Sequence, residues 1–159
     1  MELMRQSCGA GGSMQITVNI SGLQGVEDAL HDAGPKLAKA ALRKGLRAGA
    51  DIFIADAKSR APILKKPHPH RNPGDLKDSI GAVIKMSPKQ EYGTVHVGPK
   101  RERGKGSEQP GVYGMFVEFG TDDAAAQPFM RPAFDSKHQQ AQEAFTAEMK
   151  AGVEALGKK

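Results

Sequence analysis

The sequence predicts an α+β domain, a small antiparallel β-sheet packed against two long α-helices, on three observations. From about Lys36 to Arg60, Leu42, Leu46, Ala50, Phe53 and Ala57 recur at helical spacing and make one apolar face. A second stripe of that kind, Ala141, Phe145, Met149, Val153 and Leu156, follows a turn running from Pro128 to Pro132. Between the two lie stretches that alternate instead: Ile80, Ala82, Ile84 and Met86, then Tyr92 to Val97 with Val95 and Val97 on one side.

The 159 residues suit one domain. Met1 to Ser13 holds three glycines and no apolar period, so residues 1–14 are read as a flexible tail and 15–159 as the domain. Met14 is a sensible alternative start. Gln15 to Ile20 is β-branched and alternating, and is expected to be a strand. Leu23, Val26 and Leu30 suit a short helix, closed by Gly34-Pro35, which opens the first long helix. Within that helix Gly45 and Gly49 either admit a neighbouring backbone or are merely tolerated. Ala61-Pro62 stops it, because the residue before proline avoids the α region. Pro62 to Gly74 is a long loop rich in proline and base. Ser87 to Gln90 is placed to turn a hairpin. Val112 to Phe119 fits a strand or a helix equally, and Gly120 ends it under either reading.

Composition narrows the chemistry. One cysteine, Cys8, excludes an internal disulfide and points to synthesis in a reducing cytoplasm. No apolar run approaches a membrane span of about 18 residues. Gly98 to Ser107 fails the phosphate-loop pattern, since five residues rather than four separate Gly98 from Gly104 and Gly106 follows Lys105. Gln109 stands where the dinucleotide pattern needs glycine. His68-Pro69-His70 lacks the further ligands a metal requires, and His31, His96 and His138 are scattered. No Gly-x-Ser-x-Gly occurs and Cys8 lies in the tail; a triad assembled from distant segments would leave no such local motif. Glu118, set among apolar residues, is the one carboxylate that stands out; the plain reading pairs it with a base, within the chain or across a subunit interface. No catalytic residue, cofactor or metal is assigned.

Charge is uneven. Lys58 to Lys105 holds twelve bases against four acids, +8, where the whole chain is +5. Such asymmetry suits an oriented partner surface. The candidates for it are Lys65, Lys66 and Arg71 in one loop and Lys100, Arg101, Arg103 and Lys105 in the next. They would contact nucleic acid phosphates or an acidic protein; without interleaved aromatics they are poorly suited to stacking on bases.

One pair of segments is more specific. Val117-Glu118-Phe119-Gly120-Thr121, then Gln127-Pro128-Phe129-Met130-Arg131-Pro132-Ala133-Phe134, resembles the signature of a siphophage family of neck or tail-completion proteins. The family is named after gene product ten of the lambda-like coliphage HK ninety-seven. Ile20-Ser21-Gly22-Leu23, Ala41-Leu42-Arg43, Ala57-Lys58, Ala61-Pro62 and Gly74-Asp75-Leu76-Lys77-Asp78-Ser79-Ile80 match in order, so the resemblance covers roughly Gln15 to Leu156. Lys77 departs from the family's usual arginine, and the loop from Pro62 to Gly74 is longer and richer in proline and histidine. Read physically, the signature is architecture. Gly120 permits a sharp exit, Pro128 and Pro132 fix the approach to the last helix, Phe129 and Phe134 anchor it, and Arg131 is placed to pair with Glu118.

The resemblance implies a structural virion protein, not an enzyme. It would build a homo-oligomeric ring between the head connector and the tail terminator or tail tube proteins; six copies, a number the sequence does not show, would match a six-fold tail. DNA would pass through its lumen. The competing readings are a basic nucleic-acid-binding module, a minor tail protein elsewhere in the tail, and a hydrolase, which the weak catalytic motifs disfavour.

Overall fold

The computed structural model describes residues 6–8, 14–16, 35–64, 71–87, 92–100 and 109–156. Helix α1 is Pro35–Arg60, α2 Asp75–Ser79, α3 Pro110–Phe119 and α4 Met130–Leu156. Strands are β1 Gln6–Cys8, β2 Met14–Ile16, β3 Ile80–Met86 and β4 Gly93–Pro99. The class is α+β, with two long helices and a small antiparallel sheet.

α1 and α4 lie antiparallel, and the sequence of α1 explains how closely. Ala41, Gly45 and Gly49 recur every four residues and so share one face. A Cβ at Gly45 would sit 3.0 Å from the Phe145 ring, and one at Gly49 only 3.1 Å from the main-chain oxygen of Ala141. Both positions are thus tight for a side chain, Gly45 against side chains and Gly49 against main chain. Further along, the Phe53 and Phe134 rings stack at 5.4 Å, and the Ser136 hydroxyl reaches Asp56. The adjoining face of α1 serves the sheet: Leu42 and Leu46 both meet the position of a Cβ on Gly93. One helix thus bridges two layers.

β3 and β4 pair from Ile80 opposite Pro99 to Met86 opposite Gly93. The Ser87 amide closes the hairpin on the Tyr92 carbonyl at 2.9 Å. The expected turn at Ser87 to Gln90 otherwise lies outside the described residues. α2 forms because Asp75 accepts the Asn72 amide at 2.7 Å, starting the turn, while Leu76 gives it one buried anchor. Ala57, Ala61, Leu76, Ile80, Phe129 and Ala133 form the core cluster, with Ile54, Tyr113, Val117 and Met130 packed on it. Phe129 is its largest fully buried side chain.

At the amino terminus, β1 pairs antiparallel with β2, Gln6 opposite Ile16, and β2 lies against β4. The strand expected over Gln15 to Ile20 is thus described only at its start. The short helix expected around Leu23 to Leu30 lies outside the described residues. The ambiguous run Val112 to Phe119 is helical. Pro110 opens α3, where no amide partner is needed, and the Gly120 amide closes it on the Phe116 carbonyl.

Candidate functional site

The densest polar arrangement in the described chain is the junction between α3 and α4. The last turn of α3 carries Glu118 inward, leaving it 3% exposed. Gly120 then turns the chain at φ +78°, and a Cβ there would fall 2.8 Å from the Ala126 nitrogen. Thr121 and Ala124 pair across a tight loop, and the Gln127 amide returns to the Val117 carbonyl at 2.8 Å. This brings the start of α4 onto the Glu118 carboxylate. Oε2 accepts the amides of Phe129 (2.7 Å) and Met130 (2.9 Å), and Oε1 accepts that of Arg131 (3.0 Å).

The first amides of a helix have no partner within it, and its amino end carries partial positive charge. Glu118 answers both needs from another helix. Arg131 adds a side-chain bond from Nε to Oε1 at 3.3 Å, and its Nη2 lies 3.5 Å from the Glu118 carbonyl. Its guanidinium also lies 4.7 Å from the centre of the Phe119 ring. Four donors converge on two carboxylate oxygens. That carboxylate is buried and engaged in holding α4.

The other signature residues are distributed around this clamp. Phe129 and Phe134 are buried, Pro132 is half-buried in the first turn of α4, and Thr121, Gln127 and Pro128 are exposed. Of the basic candidates, Lys100 is exposed beside α2, its amide bound to the Ser79 carbonyl at 3.0 Å. Arg71 is half-buried, its guanidinium 4.5 Å from the Tyr113 ring centre, and its Nε is buried with no hydrogen-bond partner among the described residues. Burial pushes the Tyr113 hydroxyl above the ordinary tyrosine range; Asp75 adds to this and Arg71 opposes it. Lys65, Lys66, Arg101, Arg103 and Lys105 lie outside the described residues.

Among the described residues no cluster of three or more His, Cys, Asp or Glu could hold a metal ion. His138 stacks on Phe134 and bonds the Asp135 carbonyl, while His96 sits on β4. A groove on α4 is lined by Gln139, Gln142, Glu143, Thr146, Ala147 and Lys150, and the Thr146 hydroxyl there donates back to the Gln142 carbonyl of its own helix.

A family model described as "Bacteriophage HK97-gp10, putative tail-component" matches residues 24–120. The chain belongs to this family. It is a structural phage tail component, and its place is the virion. No match was found among curated proteins or solved structures. The matched span ends at Gly120, so it includes the Glu118 carboxylate but not the helix start that the carboxylate holds. No helix among the described residues is long and apolar enough to cross a membrane.

The sequence marked Glu118 and Arg131 as a pair but gave no sign of the three amides. Those contacts depend on the loop from Gly120 to Pro128, whose path is set in three dimensions. The single readable hint was an acid one residue before the end of the apolar run Val112 to Phe119, followed by glycine and then by a proline-flanked helix start.

Proposed function

We propose that the protein completes the phage tail and joins it to the head, as a ring between the head connector and the tail terminator or tail tube proteins. Membership in a phage tail-component family supports a structural role. The observation that carries the reading further is the use of Glu118. The most polar part of the signature stabilises the fold, which leaves exposed surface rather than a reactive group to act on partners. A ring of copies uses heterologous contacts that close under rotation. Six copies would match a six-fold tail, with DNA passing through the lumen. Deleting the gene tests this directly. Filled heads and separate, unattached tails are expected; normal infectious particles would contradict it.

The concentration of charge between Lys58 and Lys105 favours a second reading, contact with DNA. Retention on DNA would then fall steeply with salt and be lost on neutralising Lys65, Lys66, Arg101 and Arg103 together. Retention unchanged by those substitutions removes the reading.

A further inference from the structure

α3 is apolar on two opposite sides. Tyr113, Val117 and the buried Gly114 and Glu118 face the core, yet Phe116 and Phe119 stand 49% and 50% exposed on the other side. A helix apolar all round is ordinarily covered on all sides. Phe116 and Phe119, with half-buried Val112 one turn before, follow at helical spacing and form one stripe, the Arg131 guanidinium lying over the Phe119 ring at its end. The stripe ends beside Asp122 and Asp123, both exposed.

The β3–β4 hairpin has the opposite character. Ile80, Ala82, Ile84, Met86, Gly93, Val95 and Val97 share the face turned to α1, because strand neighbours alternate. The other face carries Gly81, Val83 and Lys85 opposite Gly98, His96 and Thr94. Val83 is 56% exposed at its centre. Gly81 and Gly98 pair directly and leave a floor without side chains. A Cβ at Gly98 would meet nothing within 4 Å, and one at Gly81 would meet only the Lys100 side chain, at 3.3 Å. Among the described residues that face therefore has an apolar centre, a shallow floor, two lysines and no acid.

We propose that the α3 stripe of one copy docks on the open β3–β4 face of a second copy of this chain. Phe116 and Phe119 would cover Val83 and the Gly81–Gly98 floor, and Asp122 and Asp123 would meet Lys85 and Lys100. Charge complementarity between the two surfaces is what selects a second copy as occupant. The surfaces lie on different elements, so the contact runs head to tail, as a ring requires; in this it rests on the ring reading above.

Mixing variants in solution tests the docking. Phe116→Asp with Phe119→Asp spoils the stripe alone, and Gly98→Tyr fills the floor alone, where the folded chain has room. In sedimentation velocity the wild-type protein is expected to grow beyond dimer as concentration rises to about 1 mM. Each variant alone should stay monomeric, its association weakened about 100-fold. Their equimolar mixture should give a one-to-one dimer that grows no further, since each partner keeps one intact surface. A wild-type protein that stays monomeric or stops at dimer, unchanged association in either variant, or no mixed dimer would overturn the proposal. Should a variant not fold, the exposed charges supply the same test. Asp122→Lys with Asp123→Lys should lose association and regain it when mixed with Lys85→Glu, Lys100→Glu protein; no recovery counts against the contact. The purified protein reports on docking and particle morphology on the role, so either can fail alone.

Discussion

Glu118 and Arg131 look like an ion pair, but the structure divides the energy unequally between them. Removing the carboxylate strands three amides, one in a buried hydrogen bond and two in part-buried ones. An unsatisfied buried group costs about 1–3 kcal/mol. Glu118→Ala should therefore destabilise the fold by about 3 kcal/mol or more in chemical denaturation. Arg131 is 45% exposed at its side chain, so Arg131→Ala should cost only about 1 kcal/mol. Equal losses would contradict the clamp. Reversing both charges should fail to restore stability, because an arginine at position 118 cannot accept the amides. A second residue-scale effect concerns acid. The Arg60 guanidinium, 2.6 Å away, holds the Asp56 carboxyl below the ordinary carboxylate range, and Ser136 from α4 adds to this against the opposing effect of burial. A depressed value means stability that is present above the unfolded-state value and lost as pH falls through the folded one. Melting temperature followed below about pH 4 should thus drop less steeply in Asp56→Asn than in wild type. Parallel curves would remove Asp56 from the acid response.

At the scale of elements, the α1–α4 contact is where local preference and packing oppose each other. Glycine inside a helix costs about 1 kcal/mol against alanine, so propensity alone favours replacing Gly49. Its neighbour is the main-chain oxygen of Ala141, which cannot turn aside as a side chain can. Gly49→Leu should therefore lose about 1–3 kcal/mol in urea denaturation despite its better propensity; a gain would mean that α4 does not approach there. The long helices and the hairpin were legible because their periods run for many residues. The glycine face was legible only as one of two readings, since its partners Ala141, Phe145 and Met149 stand far along the chain. α3 was ambiguous for a related reason: apolar on both sides, Val112 to Phe119 satisfies either period, and its helical state is tied to Glu118 reaching α4. α2, with Leu76 as its one buried residue, offers no period at all.

The whole molecule is organised around that junction. α1 bridges sheet and α4, and the core cluster joins α1, α2, β3 and the start of α4 through Phe129. Phe129→Ala should cost about 3–5 kcal/mol, because the cavity would open where those elements meet; a loss below about 1 kcal/mol would deny that ring its central place. The signature segments were legible in order and spacing, and family membership follows from the matched residues 24–120. The surfaces that would meet partners were less legible. Sequence charge drew attention to the basic loops, whereas the aromatic side of α3 and the open face of the hairpin emerge only once burial assigns each helix and strand an inside. An image of the intact phage particle at side-chain resolution tests the central claim most directly. The expected result is a ring of this chain where head meets tail, with Glu118 still holding the start of α4 in every copy. Its absence from the particle, a position elsewhere along the tail, or a Glu118 carboxylate turned out to a ligand would contradict it.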